Sequence, residues 1–234
     1  MKISPDATVL FEWGFFTLNY TILFTWVIIA LLVIFSWLVT RKLTSGADFS
    51  SGQNLLEVVV GSIRQQIAEV SQDDPDKYIS FIGTLFLFIA VSNTLSVVPG
   101  FEAPTGSITT TAALAICVFF AVPIFGIKEK GVRAYFQAYL KPSPIMLPFN
   151  IIGELSRTLA LAVRLFGNIM SGSLIVGMLV SFVPLLFPIV MQAFGLLIGL
   201  IQAYIFAILA MVYIGSAVRV QKKEKEETEN KQTT

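Results

Sequence analysis

Residues 156–172 read SRTLALAVRLFGNIMSG, an apolar, helix-forming run with an arginine, Arg164, near its centre. The run belongs to a longer stretch, 145–218, that stays apolar except at 184–188, where Pro184 and Pro188 interrupt it. A bilayer core is about 30 Å thick and takes about 20 apolar residues to cross. The stretch is therefore read as two helices, 145–183 and 188–218, joined by a tight turn. At 1.5 Å per residue the first of them exceeds about 50 Å. It is too long to stand upright, so the two are expected to form a long, tilted hairpin.

The composition of the whole chain agrees. Of 234 residues, 55% are hydrophobic and only 13% charged, with a mean hydropathy of +0.78, whereas a soluble domain is about a quarter charged. An all-α membrane protein, one membrane domain over residues 1–234, is the expected class. A net charge of +1 argues against a nucleic-acid binder that works by neutralising phosphates. The absence of histidine removes His-based acid–base catalysis, His metal sites and a serine triad with its usual base. The single cysteine, Cys117, leaves no disulfide within the chain and no Cys-cluster metal site. No catalytic residue, metal site or cofactor is expected.

Three further spans precede the hairpin, at 15–40, 78–99 and 108–127. The first, with Trp13 and Trp37 near its ends as interface anchors, is too long for a signal-peptide core and is read as a true span. Between the first two lies an amphipathic helix, 52–71, whose Leu55, Leu56, Val59, Val60, Ile63, Ile67 and Val70 make one stripe while Glu57, Arg64 and Glu69 fall mostly off it. Such a helix rests on the membrane surface. Residues 219–234 form a charged tail, read as frayed.

Orientation follows from the basic residues. Arg41, Lys42, Arg64 and Lys77 lie in the first connection, Lys128, Lys130, Arg133 and Lys141 in the third, and Arg219, Lys222, Lys223, Lys225 and Lys231 in the tail. The second and fourth connections have none. Five spans with the N-terminus outside and the C-terminus in the cytoplasm satisfy this pattern.

Once loops and ends are set aside, Glu154, Arg157 and Arg164 are the ionisable side chains that remain, all on one helix. Glu154, Arg157, Leu161, Arg164, Asn168 and Ser171 follow an i, i+3, i+4 rhythm and share a face. Glu154 and Arg157 are spaced to pair. Arg164 has no acid near it on its own helix, and a charge at membrane depth costs a few kcal/mol. On the last helix, Gln192, Gly195, Gly199 and Gln202 recur at the same spacing. Gly195 and Gly199 are a small-xxx-small pair for close helix packing, and Gln202 is placed to orient the guanidinium without neutralising it. A permanently protonated arginine relays no proton, but its field lowers the pKa of a passing carboxylate. That carboxylate has to come from another subunit.

The segment 156–172, followed by QAYIF at 202–206, resembles subunit a of the F-type ATP synthases, the stator half of the Fo ion channel. PTGSITTTAALA from Pro104, KPSPIMLPFN from Lys141 and AMVYIG at 210–215 extend the likeness over the whole chain. The resemblance implies an ion-translocating, non-catalytic subunit of the bacterial inner membrane. Two offset half-channels meet at Arg164 and load and unload a ring of c subunits, each with a carboxylate that passes Arg164. It also implies b-type peripheral-stalk subunits, an F1 head reached indirectly, and membrane lipid as partners. Arg164, Gln202 and Asn168 would carry translocation. Glu154, Ser156 and Arg157 would line the cytoplasmic half-channel, and Asn168 and Ser173, with Asn93, Ser96 and Gln192, the outer one. Proton-type members commonly hold Glu or His nine residues after the arginine, or an ionisable partner on the last helix. Those positions here are Ser173 and Gly195, so the coupling ion stays open between H⁺ and Na⁺. The alternative reading is a secondary transporter that binds an anionic substrate at Arg164; many such folds carry inverted repeats, and no convincing repeat is seen here.

Overall fold

The structure is a computed structural model that describes residues 9–13, 16–41, 51–71, 73–98, 100–133, 135, 137, 145–182 and 187–232. Expected features at residues 15, 99, 141–144 and 183–186, including most of the hairpin turn, lie outside the described residues. Among the described residues the main helices are α1 (Tyr20–Thr40), α2 (Ser51–Ser71), α3 (Ile79–Leu95), α4 (Ile108–Lys130), α5 (Met146–Phe182) and α6 (Phe187–Gln232). Four contain stretches long and apolar enough to cross a membrane, Tyr20–Leu38, Ile108–Glu129, Leu147–Leu179 and Ile189–Val218. The fifth expected span, α3, is apolar but only 17 residues long. Its reading as 78–99 took in a non-helical end: the chain leaves the helix after Leu95 and turns at Gly100, where φ is +86°.

Two expected boundaries move. The first span was read from residue 15, but Phe16–Asn19 is a strand (β2) paired antiparallel with Val9–Trp13 (β1), and the helix begins at Tyr20. Aromatic and β-branched residues favour strands, and hydropathy alone does not separate such a strand from the helix it leads into. The tail, read as frayed, continues α6 as helix to Gln232. No Gly or Pro follows Gly215, and Lys, Glu and Gln are good helix formers. At the other end of α1, the Arg41 guanidinium lies 5.0 Å from the centre of the Trp37 ring, an anchor of the kind found at interfaces.

The core is built around the middle of α6. Ala203, Phe206, Ala207, Ala210, Met211 and Ile214 are buried there, against Ile82, Leu85 and Ile89 of α3 and Ala115, Val118 and Val122 of α4. The alanines recur every three or four residues, so neighbouring helices approach closely on that side. By contrast Trp26, Val33 and Trp37 of α1 stand well exposed, as lipid-facing side chains do. On α2 the expected apolar stripe is met in part: Val59 is half-buried, but Val60, placed on the stripe, is exposed. Ile67 is buried and Ile63 and Val70 pack on the core, while Glu57, Arg64 and Glu69 are exposed.

One end of the bundle is a polar belt. Arg64 pairs with Asp76 at 2.8 Å, and Lys77 pairs with Glu129 at 2.8 Å and with Asp73 at 3.4 Å. Since Glu129 ends α4, the first and third connections lie at the same end, as the distribution of basic residues requires. Gly131, at φ +84°, closes α4 there, in a conformation glycine adopts at no steric cost.

Candidate functional site

Two cross-contacts set the register of α5 against α6. The Asn168 Nδ2 donates to Gln202 Oε1 at 2.6 Å, and the Arg157 guanidinium lies over the Tyr213 ring, 5.7 Å from its centre. Eleven residues forward along α5 correspond to eleven back along α6, so the helices run antiparallel, as the hairpin reading expected. Arg164 falls between the two contacts.

Along α5 the buried strip is narrow: Leu161, Ala162 and Leu165 are buried, while Ile152, Leu155, Leu159 and Val163 are exposed. Arg164 sits on the shoulder of that strip and is exposed on the surface of the chain. Among the described residues it makes no ion pair. The three ion pairs found there all belong to the polar belt.

Gln202 was expected to face Arg164. It is instead buried, with its carbonyl oxygen taken by Asn168. Its Nε2 has no hydrogen-bond partner among the described residues, so one donor is left for a further acceptor. The amide pair lies about one turn beyond Arg164, since Asn168 stands four residues on along α5.

Beyond the amide pair opens a cavity of about 330 Å³ between α5, the start of α6 and the end of α3. Asn168, Ser173, Gln192 and Ser96 all line it; these four were assigned to the outer side from sequence. Its described lining consists of hydroxyl, amide and apolar groups.

Asn93 is not among the lining residues. It is buried, its Nδ2 donates to the Gly199 carbonyl at 2.8 Å, and its Oδ1 accepts from Thr105 Oγ1 at 2.6 Å. Its amide ties α3 to α6 and to the loop before α4. Gly199 is small for that contact: a Cβ there would lie 2.9 Å from the Asn93 Cβ. The close approach is thus to α3 rather than α5. At Gly195 a Cβ would meet nothing within 4 Å, and the residue lines the cavity. It leaves space where tight packing was expected.

Glu154, Ser156 and Arg157 lie on the other side of Arg164, two to three turns back along α5. Arg157, spaced to pair with Glu154, stacks on Tyr213 instead. Ser156 is exposed and Glu154 half-buried. Among the described residues no cluster of acidic, Cys or His side chains could hold a metal ion.

Sequence reasoning missed a stripe on the open side of α5. Gly153, Ser156, Ala160, Arg164, Gly167 and Ser171 follow one another at steps of three or four, and a Cβ at Gly153 or Gly167 meets nothing within 4 Å. The spacing carries the signal, but Gly153, Ala160 and Gly167 have no chemistry that singles them out. An exposed face of small residues with one cation in its middle admits a second helix close to the guanidinium. Tyr213 was missed as well, since periodicity does not say which residue of a neighbouring helix meets a given face.

Comparison with known proteins matches residues 22–215 to the family model of the ATP synthase A chain. The chain is 60% identical to ATP synthase subunit a 2 of Acaryochloris marina over 222 residues, 95% of both chains. It is 57% identical to ATP synthase subunit a of Albidiferax ferrireducens over 226 residues, 97% of this chain and 98% of that one. Against ATP synthase subunit a 1 of Chlorobaculum parvum the identity is 55% over 223 residues, 95% and 99% of the two chains.

Proposed function

This chain belongs to the ATP synthase A chain family, and on that premise we propose how it moves ions. It is a multi-pass membrane protein of the Fo sector and takes part in ion transport for ATP synthesis. It sits in a bacterial inner membrane, N-terminus outside and C-terminus cytoplasmic, and contributes no catalytic residue.

The cavity bounded by Asn168, Ser173, Gln192 and Ser96 is the inner reach of the outer half-channel. The end of α5 with Glu154, Ser156 and Arg157 faces the cytoplasmic half-channel. A c subunit of the rotating ring lays its helix along the small-residue stripe of α5, which brings its carboxylate to Arg164. An ion entering from outside neutralises that carboxylate, travels round the ring, and leaves on the cytoplasmic side. The guanidinium field lowers the carboxylate's pKa, helps it release its ion, and blocks a cation from passing directly between the half-channels. Each charge moved through 100 mV supplies about 2.3 kcal/mol, delivered as torque to the F1 head. Peripheral-stalk subunits of the b type hold this chain against that torque.

The observation that carries this reading is Arg164 itself. It is exposed on the small-residue face of α5, lies between a polar cavity and a charged helix end, and has no ion pair among the described residues. The test is a cross-link in the assembled complex. With Cys117 replaced by Ser, cysteine at Ala160 or Gly167 is expected to form a disulfide with a cysteine next to the ring carboxylate. The bond should stop ATP hydrolysis until it is reduced, and failure to cross-link at either position would overturn the docking. Both H⁺ and Na⁺ suit hydroxyl and amide linings. ATP hydrolysis titrated with Na⁺ at fixed pH separates them, a flat response favouring protons.

A further inference from the structure

We infer that Arg157 and Tyr213 form a clamp that holds α5 in register on α6 and so fixes where Arg164 stands. This rests on the reading of Arg164 as the ion barrier.

The need for a clamp follows from how differently the two helices are held. Tyr213 lies on the part of α6 set into the core, next to Ala210, Met211 and Ile214, each 0% exposed. Near Arg164, by contrast, α5 is held by a narrow strip, Leu161, Ala162 and Leu165. A carboxylate that arrives at and departs from Arg164 loads that helix each time. Apolar packing is non-directional and resists sliding poorly.

Two directional contacts bracket the cation. Asn168 to Gln202 lies four residues to one side, and Arg157 on Tyr213 seven residues to the other. The first is buried at Gln202. The second needs a flat cation on a ring face, which a guanidinium provides better than an ammonium. Arg157 is therefore a positioning residue: it acts through the seam rather than on the ion.

The experiment uses the whole complex in inverted membrane vesicles and measures ion pumping per ATP hydrolysed, with subunit content checked in the same membranes. Arg157→Gln and Tyr213→Leu are each expected to lower that ratio by about two- to fivefold, the worth of one such contact. The double variant should be no worse than the worse single one, because both remove the same contact. Tyr213→Phe keeps the ring and should pump normally, while Arg157→Lys, which keeps the charge and folds readily, should fall between wild type and Arg157→Gln. Losses that add in the double variant, or a Tyr213→Phe defect equal to that of Tyr213→Leu, would overturn the clamp. Arg164→Ala is run alongside. If it still pumps, the barrier reading fails; if it does not, while Arg157→Gln and Tyr213→Leu couple fully, the clamp alone fails.

Discussion

Lys77 and Arg164 are both cations in a chain with few of them, and the fold treats them in opposite ways. Lys77 lies in the polar belt with carboxylates of two residues, Glu129 at 2.8 Å and Asp73 at 3.4 Å. The Glu129 carboxylate, ahead of the other influences, holds its ammonium above the ordinary lysine range. Arg164 lies within a helix long and apolar enough to cross a membrane, and among the described residues it has no ion pair. The first charge is satisfied by the chain that carries it and serves to join two connections. The second has no ion pair among the described residues, a costly state for a charge at membrane depth. What separates the two residues is the pairing of the charge rather than its presence.

The comparison breaks most sharply if the two residues are removed in turn. Arg164→Ala should abolish ATP-driven ion pumping, measured in inverted vesicles, while the complex stays assembled; near-normal pumping would erase the distinction. Gln202→Leu probes the surroundings of that charge. It leaves the Asn168 amide without its partner, at about 1–3 kcal/mol, and should reduce pumping less than loss of the arginine does. A larger defect would transfer the central role from the cation to the amide.

Lys77→Met should leave pumping intact. Its pairs are partly exposed, with the Lys77 side chain 40% accessible, so the loss of stability in thermal unfolding is about 1 kcal/mol or less. Acid titration gives the smallest effect. Burial raises the Asp73 pKa, but the Asp74 backbone amide and Lys77 outweigh it and the net shift is downward. A carboxyl depressed in the folded state stabilises above its unfolded pKa and loses that contribution as pH falls through the folded one. Thermal stability should therefore slip slightly below about pH 4, and Asp73→Asn should remove that part of the acid sensitivity. An unchanged acid profile in Asp73→Asn would show that the belt does not depend on this carboxylate.

Helix content was legible from sequence because a bilayer allows little else, and the periodicity of 52–71 marked the surface helix. The ends were less so. Phe16 and Leu18 let the segment Phe16–Asn19 run into the apolar helix it precedes, and hydrogen bonding to β1 makes it a strand. Arg164 stood out by elimination, and Asn168, Ser173, Gln192 and Ser96 gathered round one cavity because they share a side of adjoining helices. Asn93 and Gly199 show where such reading stops. Both were recognised as notable, but that they meet each other, across 106 residues of chain, is decided by how α3 packs on α6. A stripe's period gives the direction a residue faces and leaves its opposite number unnamed.

The 330 Å³ cavity is bordered, among the described residues, by alcohols, carboxamides and hydrocarbon. Nothing in that set gains or loses a proton over the range in which cells live. On the proposed reading of this cavity as the outer half-channel, its described walls hold no group whose titration would shut it.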